Sequence, residues 1–161
     1  MTLRLNGDDG VSGVNGSSST PAVQGNSPNS GIFFNSKATF ISSNGNEVFK
    51  AHHQGFDITG GVASNVVSMT GNNIDCHQGN YFTKTVNGAT TFTISNVPAT
   101  GAFTIVLEVT LTSGTLTWPT EIKWSGDSVP QVTTGKTHVF VLVTDDGGAR
   151  WRGAALVDYV N

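Results

Sequence analysis

Few residues in this chain have the types and spacing that chemistry requires, so the sequence is read from those few outward. His52 and His53 are adjacent, and on a strand adjacent side chains point to opposite faces, so they do not form a shared metal site by themselves. Cys76 and His77 are likewise neighbours, with no CxxC or HxxxH spacing around them. Asp145 and Asp146 would offer a carboxylate pair for glycoside hydrolysis or a cation. They stand in Asp-Asp-Gly-Gly between two apolar runs, where a tight turn explains them better. No GxSxG marks a serine nucleophile. The sequence therefore assigns no catalytic residue, no metal ligand and no cofactor.

The aromatic residues offer a different chemistry. Trp118 precedes Pro119 and Trp124 precedes Ser-Gly, so both fall at strand ends beside loops, and Tyr81 opens another apolar run. At such positions Trp118, Trp124 and Tyr81 are candidate surfaces for stacking on the sugar rings of a glycan. The competing reading makes the tryptophans packing at the rim of a small core.

The elements that would position these residues are strands. Charged residues make up 12% of the chain against a usual share of about 25%, and Gly, Thr, Ser and Asn fill the gap. Helix formers are scarce, and no amphipathic helix is visible. Phe103, Ile105, Leu107, Val109 and Leu111 alternate with polar neighbours, while His138–Val143 is apolar on both faces and marks a central strand. Strands are expected at Val66–Thr70, Ile74–Cys76, Tyr81–Val86, Thr90–Val97, Phe103–Leu111, Thr115–Trp118, Glu121–Trp124, Thr137–Thr144 and Arg150–Tyr159. Asn87-Gly88, Ser113-Gly114 and Asp145–Gly148 are read as the hairpin turns between them. The expected fold is all-β, with a C-terminal β-sandwich or jelly-roll-like domain over residues 65–161.

Ahead of that domain the composition changes. Residues 1–31 read as an extended arm, uncharged and rich in Gly, Ser and Asn from residue 11 onward. Residues 32–64 hold short strands around a Ser43-Asn-Gly-Asn46 hairpin signal, too few for a sandwich and suited to a layer whose core forms between chains. Oligomerisation and attachment are assigned to this part. The net charge of −3 does not suit nucleic-acid binding, and no apolar run is long enough for a helical membrane span or a signal peptide. A single cysteine excludes an internal disulfide framework and suits assembly in a reducing cytoplasm.

An ordered set of short motifs carries a resemblance. It runs from Asn73-Ile-Asp-Cys-His-Gln-Gly-Asn-Tyr-Phe-Thr-Lys-Thr-Val86 through Thr90-Thr-Phe-Thr-Ile-Ser-Asn-Val-Pro98. It continues with Thr117-Trp-Pro119, Ile122-Lys-Trp124, Val132-Thr-Thr-Gly-Lys136, Val143-Thr-Asp-Asp-Gly-Gly148 and Trp151-Arg-Gly153. Over residues 65–161 this resembles a module of virion structural and tail-fibre-like proteins of tailed bacteriophages, notably phages of marine cyanobacteria. The opening Met1-Thr-Leu-Arg-Leu-Asn-Gly7 is similar to the start of many such proteins. The resemblance implies a non-catalytic β-module of a particle appendage, commonly a homotrimer. Its expected partners are other copies of itself, tail or capsid proteins bound through the N-terminal part, and a host surface glycan. The location it implies is the virion, and a head decoration protein or a receptor-recognition module that binds carbohydrate are the alternatives.

Overall fold

The computed structural model describes residues 15–160, and the chain divides into two compact units between Ala63 and Ser64. Met1–Gly7 and the first part of the expected arm lie outside the described residues. Both units are all-β, and the one helical piece among the described residues is a single 3-10 turn, Ser125–Asp127.

The N-terminal unit is a five-stranded meander: β1 Val23–Gln24, β2 Gly31–Phe34, β3 Ala38–Ser43, β4 Asn46–His52 and β5 Gly55–Ile58, each antiparallel to the next. The β3–β4 turn carries Asn44 at φ 50° and Gly45 at φ 78°, the left-handed pair that an Asn-Gly hairpin supplies. The stretch read as an arm contributes β1 to this sheet. On one face Phe33 and Phe40 are buried and stacked, with ring centroids 4.6 Å apart.

The C-terminal unit is a two-layered β-sandwich. Its strands are β6 Val66–Ser68, β7 Asn73–Asp75, β8 Tyr81–Asn87, β9 Thr90–Thr91, β10 Thr93–Ser95, β11 Phe103–Ser113, β12 Leu116–Thr117, β13 Ile122–Trp124, β14 Lys136–Thr144 and β15 Trp151–Tyr159. One layer is a six-stranded sheet in the order β13-β15-β14-β11-β8-β6. Across it lie the parallel pairs β10-β7 and β12-β9. These pairs are linked where Phe92 N donates to Thr117 O (2.9 Å) and Thr93 N donates to Asn72 O (3.1 Å). Ile105, Leu107, Val109 and Leu111 point inward from β11 and meet Phe82, Val86, Phe140 and Leu142 of the same sheet and Ile74 and Phe92 of the other layer. The expected strand over 90–97 is broken at Phe92, whose ring turns into this core.

The connections correct one expectation. Asn87-Gly88 and Ser113-Gly114 do not close hairpins. The neighbouring strands β8 and β11 run parallel, and at these glycines the chain crosses to the other layer, where β9 and β12 are again parallel neighbours. From β6 to β12 the chain thus winds in coils, alternating between layers. The two crossings lie against each other: a Cβ on Gly114, at φ 93°, would stand 2.1 Å from the carbonyl carbon of Gly88. A hairpin and a crossing both need a backbone free to turn sharply, so glycine marks either. The third expected turn is a true one, since β14 and β15 are antiparallel across Asp145–Gly148.

Candidate binding cleft

Trp118 and Trp124 come together in the core layer. Trp118 stacks on Phe92 (4.9 Å between centroids), lies against Phe140 (4.6 Å) and meets Trp124 edge to face (5.2 Å). Trp124 stands opposite Gly153 in the β13–β15 pair, and a Cβ on Gly153 would fall 2.6 Å from the indole. Glycine at 153 is therefore what lets the indole lie on the strand. Both tryptophans are half-buried, and their rings are engaged mainly by other aromatic rings.

Beside this cluster is a cleft of about 510 Å3. Phe92, Trp118, Pro119 and Trp151 give it an apolar wall, and Thr91, Thr93, Thr120 and Glu121 line it with hydroxyls and one exposed carboxylate. Such a mixture of apolar wall and fixed polar groups suits a small polar ligand. Glu121 was read from the sequence only as the start of a strand. Nothing in one sequence shows that the layer crossing after β12 brings it beside Thr91 and Thr93.

Tyr81 lies elsewhere. It is on β8, on the outer face of the six-stranded sheet, with β11, β14 and β15 between it and β13. Its hydroxyl donates to Glu108 Oε2 (3.0 Å), and this bond to the carboxylate, followed by burial, raises the phenol above its ordinary range. Tyr81 and the two tryptophans do not form one site.

The remaining reactive side chains are engaged locally. Burial, and then the neighbouring Asp75 charge, push the Cys76 thiol up to about 11, which leaves little thiolate at neutral pH. Asp146 Oδ1 accepts from Thr144 Oγ1 (2.9 Å) and from Arg150 N (3.0 Å), while Asp145 pairs with Arg150 (3.3 Å). His52 approaches Asp57 (3.4 Å), which also takes Lys50 Nζ (3.1 Å). Among the described residues no cluster of three or more His, Cys, Asp or Glu is arranged to hold a metal ion, and no helix is long and apolar enough to cross a membrane.

No protein-family model, curated protein or solved structure matches this chain.

One polar residue entered the sequence reading only as the start of an apolar run. His138 is fully buried on the core side of β14. Its Nδ1 accepts from Asp158 N (3.2 Å), so Nε2 carries the hydrogen and donates to Thr133 O (3.0 Å). Asp158 Oδ1 in turn accepts from Thr133 N (3.2 Å). These three residues close a ring that ties the loop before β14 to the end of β15.

Proposed function

We propose that the chain is a structural protein of a bacteriophage particle, a tail or tail-fibre component. It assembles as a homotrimer, attaches to other virion proteins through its N-terminal unit, and presents its C-terminal unit toward the host surface. The observation that carries this reading is the use made of the side chains that chemistry would recruit. Cys76 is a core residue, Asp145 and Asp146 build a turn, and Trp118 and Trp124 pack a sandwich. The motif set over residues 73–153 supports the same reading. Paired backbone and layered apolar burial are what a part must have to persist outside a cell.

Mass spectrometry of purified particles, with antibody labelling viewed by electron microscopy, tests it. Label on tails or fibres at a few copies per particle is the expected result. Label over the head at hundreds of copies would mean a decoration protein, and absence from particles would end the reading.

The cleft supports a second reading, in which the outward unit also binds a host glycan. Thr91, Thr93 and Glu121 would then hold sugar hydroxyls against the edge of Trp118. Glu121 is exposed, and replacing it should leave the core intact. Glycan-array binding that is lost in Glu121→Gln, with unchanged melting, would support this reading; an array without signal would sink it. Trp124→Ala is the wrong probe, because Trp124 packs on Phe140 and Gly153.

A further inference from the structure

The N-terminal sheet is one layer thick among the described residues, and its two faces differ in chemistry. The register places Phe33, Phe40, Lys50 and Asp57 in one row, with Ala38 and His52 in the next, and pairs Glu47 with buried Ser42. The charged residues of β4 and β5, Glu47, Lys50 and Asp57, therefore share the face of Phe33 and Phe40. The other face bears an unbroken apolar row across all five strands: Val23, Ile32, Ile41, Phe49 and Ile58. Beside it run Phe34, Thr39, Ala51 and Phe56. No charged side chain stands in either of these rows. Much of this surface is open, with Phe56 66%, Val23 55%, Ile58 43% and Ile41 42% exposed.

A sheet normally buries one face against a second layer, and monomers rarely leave more than a few hundred Å2 of contiguous apolar surface bare. The five strands hold 23 residues, and at about 4.8 by 3.3 Å each they cover roughly 360 Å2 in projection, more over the side-chain relief. Each partner in a standard complex gives about 800 Å2, so this face supplies a large part of one side of an interface. With no charge in its two apolar rows, the face offers nothing to a partner of opposite charge. It is complementary to a surface of its own kind.

We infer that this apolar face of the N-terminal sheet is where copies of the chain meet, the same face of each copy turned toward the three-fold axis they share. The inference names the surface for the self-assembly proposed above, yet it rests on the sheet face and not on the virion reading. Light scattering on the full chain should give an oligomer at micromolar concentration. Ile41→Glu buries an unpaired charge at its centre and should weaken association at least ~100-fold. Phe56→Glu does the same from an exposed position on the outermost strand, where a single copy tolerates it, and circular dichroism would report unchanged strand content. Glu47→Gln, on the other face, should leave the oligomer intact. A wild-type chain that is monomeric, or an oligomer that survives Phe56→Glu and Ile41→Glu alike, overturns the inference. An oligomer that dissociates as expected, in a protein absent from particles, would instead sink the virion reading and leave this interface standing.

Discussion

At the scale of single residues, His138 shows how one polar side chain fixes two distant stretches of backbone. Its two ring nitrogens serve Thr133 O and Asp158 N, so neither nitrogen is left unpaired in the core. His138→Leu keeps the volume nearly constant but removes both partners. Leaving two backbone groups short of a bond costs about 1–3 kcal/mol each. Chemical denaturation should show a loss of that order, and hydrogen exchange should rise at Asp158 first. The carboxylates act at the same scale. Asn96 Nδ2 and then the His77 N–H hold the Asp75 carboxyl below its ordinary range, and the Arg150 N–H and Thr144 hydroxyl do the same for Asp146. A lowered folded pKa gives stability that is fully present above the ordinary carboxylate range and lost as pH falls through the lowered value. The melting temperature should stay level from neutrality to about pH 5 and fall below about pH 4. Asp75→Asn should make that fall shallower; an unchanged acid limb would mean that these carboxylates do not govern it.

At the scale of elements, the strands were legible and their neighbours were not. Alternation at Phe103–Leu111 and the apolar run at His138–Val143 expose β11 and β14 because burial on a pleated sheet has period two. Periodicity says nothing about which strand lies alongside. Asn44-Gly45 does close a hairpin, whereas Asn87-Gly88 and Ser113-Gly114 carry the chain between layers, and local composition is the same for both. Trp118 and Trp124 were legible as either sugar platforms or packing, since a strand end fits both. What accounts for the packing of Trp124 is Gly153, placed under it by a pairing of strands 29 positions apart in register (Trp124↔Gly153). Gly153→Ala must displace that indole or bend β15, and overpacking of this kind costs about 1–3 kcal/mol. Tryptophan fluorescence should shift along with stability. A variant that keeps both wild-type fluorescence and melting would show that Trp124 is not held there.

At the scale of the whole molecule, the two units bury apolar surface in different ways. The C-terminal unit closes its core between its own layers, from Ile74 through Trp151. Among the described residues, the N-terminal sheet covers only one of its faces from within. A fragment of residues 64–161 should therefore unfold cooperatively and reversibly by itself, with the transition of the second unit in the full chain. A fragment of residues 1–63 should depend on concentration for its structure, as the inferred contact between copies requires. If 1–63 were equally stable at all dilutions, the difference drawn between the units would be wrong.

The winding from β6 to β12 has one more consequence. Each coil lays a strand beside the preceding one in the same direction, so a coiled chain has an edge that invites yet another strand, from itself or from a neighbour. In the sheet, the place after β11 is taken by β14, which runs the opposite way and is itself covered by β15. The reversal acts as a stop on growth. A chain ending after Gly135 would keep the coils and lose the stop, and it should polymerise end to end into thioflavin-binding fibrils where the full protein stays dispersed.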